Sequence, residues 1–155
     1  MTALPTELTL HSAHVGRIDS STFYRIAALR QRVFVVEQDC VYLDLDGRDL
    51  EPETQQVWAS DAAGTVAATV RILSEEAHEP GLRSIGRVVT DPDWRGRGIA
   101  AALMEAAIAT CGEHPVVLHA QSHLTDWYGR FGFSADGPEY LEDGIPHTPM
   151  RLTIR

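Results

Sequence analysis

A chain of 155 residues, 44% hydrophobic and 23% charged, has the size and balance of one ordinary soluble globular domain, large enough to fold without a disulfide or a structural metal. Its 13 basic and 22 acidic residues leave a formal charge of −9, the wrong sign for neutralising a phosphate backbone along its length. Broad nucleic-acid binding is therefore disfavoured, although a local basic patch can still grip one small polyphosphate.

Cys40 and Cys111 make no Cys-x-x-Cys pair, and no grouping of cysteine and histidine has zinc spacing, so no metal is expected and a reduced, cytoplasmic setting is the simplest reading. No basic stretch precedes an apolar run near the amino terminus, and Glu105 interrupts the longest apolar stretch, so neither a signal peptide nor a membrane span is expected. No repeat or proline-rich linker divides the chain, and residues 1–155 read as a single domain.

In chain order, alternation at Leu8 and Leu10 suggests a short first strand. Ser20 and Ser21 can cap a helix whose apolar positions are Phe23, Ile26, Ala27, Leu29 and Val33, continuing toward Phe34. Residues 40–52, with Asp44, Asp46, Gly47 and Asp49, read as a loop. Strand-like runs over 55–60 and 65–73 are joined by Asp61 to Gly64, which is hairpin chemistry, and 84–90 forms a further strand. The clearest helix has Ile99, Leu103, Ala106 and Ala107 on one face, Gly112 at its end and Pro115 beyond. A buried strand over 116–120 follows, then a short helix capped by Ser122 and carrying Leu124, Trp127, Tyr128 and Phe131. Strands over 133–140 and 146–154 close a mixed α/β or α+β layered sheet.

Chemistry concentrates between Val88 and Ala101. Asp91 and Pro92 turn the chain after a strand, and Arg95, Gly96, Arg97, Gly98, Ile99 and Ala100 open the strong helix. Free N–H groups at a helix start, glycines that let a ligand approach and flanking arginines suit a di- or polyphosphate. The plain alternative is a glycine-rich turn with solvated arginines. Gly96, Gly98 and Ala101 also fit G-x-G-x-x-A, but residues 91–95 separate them from the strand, and the next strand ends without the acidic residue that holds a ribose. No Gly-Lys-Ser/Thr follows, which excludes a Walker loop.

Arg95, Gly98 and Ala100 match the Q/R-x-x-G-x-G/A signature of the GNAT acetyltransferase superfamily, with Pro92 three residues ahead. Ala120, Gln121, Trp127, Tyr128, Gly132 and Phe133 look like that family's A-Q … F-Y-x-x-x-G-F segment, Trp127 replacing the commoner phenylalanine. Val33 to Gln38, Asp44 to Leu50 and Asp143 to His147 resemble the ElaA-like branch, so the resemblance covers the chain from about Phe23 onward. It implies a twisted mixed sheet with flanking helices, whose fourth and fifth strands splay to admit the pantetheine arm of acetyl-coenzyme A. The backbone of Val88, Val89 and Thr90 would pair with pantetheine amides, and residues Arg95 to Ala100 would bind pyrophosphate. Gln121 would approach the pantetheine; a strand-end residue is its plain alternative.

The same resemblance gives Tyr128 the role of general acid on the departing thiolate, a step a phenol can perform within hydrogen-bond reach. A backbone N–H near Val89 could polarise the thioester carbonyl. Glu37, after an apolar run, is the candidate base, with a solvated cap or ion-pair partner as its alternative; His119 and His123 are weaker candidates. Asp44, Asp46 and Asp49 lack calcium-loop spacing and are either loop caps or a negative rim for a cationic acceptor. The expected function is an acetyl-coenzyme A-dependent N-acetyltransferase acting by direct transfer on an amine of a small molecule, peptide or protein. A coenzyme A-binding regulatory or interaction module is the alternative. No nucleic-acid or membrane partner is expected, and a homodimer is left open.

Overall fold

A computed structural model describes residues 2–153. Strand β1 (Thr9–Ala13) is followed by helix α1 (Ser20–Arg30), which continues into a π-helical segment, Gln31–Glu37. Next come β2 (Gln55–Ser60), β3 (Val66–Ser74), β4 (Arg83–Thr90), α2 (Ile99–Cys111) and β5 (Val116–Gln121). The short helix α3 (Thr125–Gly129) precedes β6 (Phe133–Ala135), β7 (Tyr140–Glu142) and β8 (Ile145–Leu152). One mixed sheet results, in the order β1-β2-β3-β4-β5-β8-β6, with β7 also paired to β8. Every pairing is antiparallel except β4 with β5, which α2 connects as a crossover.

Helices α1 and α2 cover opposite faces. Ile99, Leu103, Met104 and Ala107 of α2 pack with Val57, Val70, Ile85, Leu118 and Met150 in the larger core. Ile26 and Leu29 of α1, with Val33, pack on Trp58, Val66 and Val89 from the other side. Alternation along β2 sends Val57 to one core and Trp58 to the other, as a pleated strand requires. On β4 that alternation is interrupted: Ile85 and Val89 have the same parity yet enter different cores. The cause is a bulge. The β3–β4 register shifts between Thr69 and Arg71, and Arg87 opposite takes the left-handed conformation, φ 53°.

Local details differ from the sequence expectations in three places. Helix α1 is capped by Asp19, whose side chain accepts from the Thr22 N–H, because Ser20 already lies inside the helix. Ser122 caps nothing, since its hydroxyl bonds that of Thr148 on β8. The expected strand over 133–140 is two short strands, β6 and β7, and Asp143 (φ 51°) with Gly144 (φ 78°) forms the tight turn from β7 into β8. Ile154, at the end of the last expected strand, lies outside the described residues.

The π-helical turn after α1 has a local cause. Val33, Val35 and Val36 are β-branched and crowd an α-helical turn, and wider bonds form, Gln38 N–H to Val33 C=O (3.0 Å) and Cys40 N–H to Val35 C=O (3.1 Å). The widening brings Glu37 and Gln38 to the edge of the cleft described next.

Candidate functional site

The parallel pair β4–β5 holds together only at its start. Arg83 pairs with Val116 and Ser84 with Val117, and past Ser84 the strands diverge, leaving the β5-facing edge of β4 without a strand partner. An open cleft of about 1140 Å³ occupies the gap and extends over the part of the sheet that α1 does not cover. Val88, Val89 and Thr90 line it from β4, His119 and Gln121 from β5, and Tyr128 from α3. A mixed α/β sheet with a splayed central pair is thus the architecture.

At one end of the cleft the chain turns through Gly96 (φ 78°) and Gly98 (φ 75°) into α2. Both angles lie in the left-handed region that favours glycine. No side chain caps α2, so its first N–H groups and the positive end of its dipole are free to meet an anion. Of the residues expected at the pyrophosphate, Arg95 and Ala100 line the cleft. Ile99 buries its side chain in the core, so only its backbone is available. Both arginines hold carboxylates: Arg95 makes a two-pronged bond to Glu37 (2.9 and 3.0 Å), while Arg97 reaches Glu7 (2.7 Å) and lies over the Trp94 ring.

Glu37 therefore faces the cleft, but both of its oxygens are taken by Arg95. Gln121 donates to the Gln38 side chain at 3.3 Å, linking β5 to the end of the π-helical turn across the cleft. Tyr128 is buried to 8% exposure, its ring edge-on to Trp127 and Phe133. Its hydroxyl has no hydrogen-bond partner among the described residues. Burial pushes the phenol up to about 12, so it stays protonated at every ordinary pH.

The acidic loop is not a negative rim. Arg30, wholly buried, bonds Asp44 (2.8 Å) and Asp49 (2.7 Å); Arg71 bonds Asp46 (2.9 Å), and Arg87 lies 2.8 Å from Asp44. Each aspartate meets an arginine, because burying Asp44 and Asp49 unpaired would cost several kcal/mol. Burial by itself raises the Asp46 carboxyl, but bonds from Arg71 and the Arg48 N–H and the charges of Arg71 and Arg87 outweigh it and hold the group at about 2. For Asp49 the same contest, won by Arg30, Arg71 and Gln56, also ends below the ordinary carboxylate value. The cluster ties the loop to α1, β3 and the bulge at Arg87.

A group of residues that sequence reasoning missed stands at the other end of the cleft. Gln121 pairs with His147 on β8, and His147 with Tyr140 on β7, so their side chains share one face of the sheet with His119. The Tyr140 hydroxyl lies 2.7 Å from His119 Nδ1, and the Tyr140 and His147 rings stack at 5.9 Å. His147 Nδ1 is 2.8 Å from the Ile145 carbonyl, and Nε2 is 3.6 Å from a Glu142 oxygen. His123, by contrast, lines the cleft without joining this group.

A family model described as an acetyltransferase (GNAT) domain matches residues 31–154. The UPF0039 protein Rv2851c of Mycobacterium tuberculosis is 44% identical over 133 residues, 86% of this chain and 85% of the relative. Protein ElaA of Escherichia coli is 40% identical over 148 residues, covering 91% and 94%. Among solved structures, an acyl-CoA N-acyltransferase from Pseudomonas aeruginosa superposes with a TM-score of 0.88 at 39% identity, covering 94% of this chain and 99% of that one. The crystal structure of Escherichia coli ElaA gives 0.87 at 33% identity, with the same coverage.

Proposed function

Because the chain belongs to the GNAT acetyltransferase family, in the branch of ElaA and the UPF0039 proteins, we propose that it transfers an acetyl group from acetyl-coenzyme A directly to an amine. The observation that carries this reading is the coincidence, in one cleft, of a β4 edge without a strand partner, a helix start without a side-chain cap and a tyrosine hydroxyl without a hydrogen-bond partner, each among the described residues. Each fits a different part of an acyl-CoA. The edge at Val88 to Thr90, which has no strand partner, offers N–H and C=O groups to the pantetheine amides, as a strand would, once Arg95 Nε releases the Thr90 carbonyl that it bonds at 3.3 Å. The turn from Arg95 to Ala100 offers backbone N–H groups and a guanidinium to the pyrophosphate. Gln121 stands across the gap from β4 as a further polar contact for the arm.

In the reaction the amine nitrogen attacks the thioester carbon, the C–N bond forms and the C–S bond breaks. A backbone N–H near Val89 steadies the developing oxyanion, and Tyr128 gives its proton to the departing sulfur. The proton that nitrogen loses balances the one that sulfur gains, and no covalent enzyme intermediate forms. A phenol at about 12 is a weak acid, yet the same dry surroundings that raise it also raise the thiol, so proton transfer between them is not penalised by burial alone.

Thiol release from acetyl-coenzyme A over a broad panel of amines tests the assignment. Amine-stimulated release with acetylated product in the mass spectrum is expected. Tight binding with no release by any amine would mean a coenzyme A-binding regulatory module instead.

A further inference from the structure

We propose that His147 is the base that takes the proton from the acceptor amine, with Glu142 holding the charge that results. The proposal rests on the acyl-transfer reading above and supplies the group that reading leaves open.

The assignment follows from which nitrogens are already committed. A carbonyl oxygen can only accept, so the 2.8 Å contact with Ile145 requires the proton of neutral His147 to sit on Nδ1. Its lone pair is then on Nε2. The Glu142 oxygen, 3.6 Å away, is an acceptor and makes no hydrogen bond to the Nε2 lone pair, yet it is close enough to stabilise imidazolium. An oriented imidazole with a carboxylate beside its basic nitrogen is suited to picking up a proton and giving it back.

The neighbouring groups are less suited. Tyr140 is held above the ordinary phenol value by burial and by the charge of Glu142, so its hydroxyl keeps its proton, and it shares a 2.7 Å hydrogen bond with His119 Nδ1. That bond commits Nδ1 of His119, and among the described residues no carboxylate lies within 4.0 Å of its ring nitrogens to hold an imidazolium, as Glu142 does for His147. Glu37 has both oxygens on Arg95. The groups that line the cleft with His147 include uncharged Gln121 on β5, Gln38 and Cys40 on the segment beyond the π-helical turn, and the carboxylate of Asp143 in the β7–β8 turn.

The step balances simply. An ammonium acceptor gives one proton to His147 Nε2 and becomes the free amine that attacks; the second proton, shed by nitrogen as the C–N bond forms, replaces the one Tyr128 gives to sulfur, and His147 returns its own to water after transfer. The need for a base disappears when the amine arrives unprotonated, and that sets the experiment.

The pH dependence of kcat/KM for the amine is measured for wild type, His147→Gln and Glu142→Gln, with acceptors of decreasing basicity. For a basic amine, His147→Gln should lower kcat/KM roughly 10²–10³-fold at neutral pH and remove the acid limb contributed by the imidazole. The deficit should shrink toward unity for weakly basic amines, and the affinity for coenzyme A should not change. Glu142→Gln should lower kcat/KM for the basic amine by less than His147→Gln does, since the imidazolium formed in the step loses its neighbouring carboxylate. A folded His147→Gln protein within about twofold of wild type, with the same limb, overturns the proposal and leaves acyl transfer standing. So does loss of the limb in Glu37→Gln. Should His147→Gln not fold, a Glu142→Gln protein with unchanged kcat/KM for the basic amine overturns it. A wild type that binds acetyl-coenzyme A but acylates no amine overturns both readings together.

Discussion

Tyr128 and Arg95 show how a single side chain's surroundings set what its removal should cost. The Tyr128 hydroxyl bonds nothing among the described residues, so Tyr128→Phe should leave thermal unfolding where it is while lowering kcat about 10²–10⁴-fold. Its protonated form is the active one and persists to about pH 12, so no alkaline limb below that should belong to this residue. A pH–rate series on both proteins checks each point. Arg95 must release Glu37 before it can hold a phosphate, which reduces its net value as a ligand. Arg95→Ala should weaken coenzyme A binding by about tenfold, the low end for a charged hydrogen bond, whereas Glu37→Gln should tighten it. Calorimetry reads both signs. Gly98 is a poorer probe: its φ of 75° disfavours any side chain, and an added Cβ would meet Thr2 at 3.3 Å.

Legibility at this scale followed sequence density. Arg95 to Ala100 and Tyr128 sit in compact motifs, and reading them needed no knowledge of the sheet. The group of His119, Tyr140, Glu142 and His147 is assembled by strand register from three strands, and none of its members is unusual alone. A clue was present: Asp143-Gly144 is a two-residue hairpin signal, and given full weight it divides the carboxy-terminal strands correctly and sets Tyr140 opposite His147.

At the scale of elements, hydrophobic spacing was enough to place α2, β2 and β5 nearly to their ends. It could not reveal the bulge in β4, because the left-handed Arg87 is stabilised from outside its own strand. The side chain lies 2.8 Å from Asp44 and over the Tyr42 ring, so a loop distant in sequence holds the conformation that no arginine prefers. Arg30 is the keystone of that loop. Arg30→Met keeps much of its volume but leaves Asp44 and Asp49 buried without their main counter-charge, and should cost about 3–5 kcal/mol in denaturant unfolding. The same variant should loosen the cleft wall at Arg87, read as faster amide exchange in residues 86–89.

For the whole molecule, charge neutralisation inside the fold matters more than the net −9. Asp46 is held at about 2 against 3.8 for the unreacted side chain, and Asp49 is also lowered, so the unfolded chain binds more protons than the native one between those limits. Their contribution to stability is complete above about pH 4 and is lost as pH falls through about 2. Urea midpoints recorded from neutral pH downward should fall in that window, and Asp46→Asn should flatten the fall. The paired aspartates also correct the expectation of a cationic-acceptor rim: Asp44, Asp46 and Asp49 each face an arginine and set little field of their own.

The short parallel seam between β4 and β5 has a kinetic consequence. On one side β2, β3 and β4 are joined by short connections; on the other, β5 to β8 follow one another closely, while the seam spans the whole of α2 and has only two rungs. Contacts that close a long loop for little return form late, so the two halves should be largely built before the seam closes. A ligand laid along the gap would bridge halves that are still apart at the folding barrier, and so would slow unfolding without speeding folding. Stopped-flow arms measured with and without coenzyme A should differ only on the unfolding side.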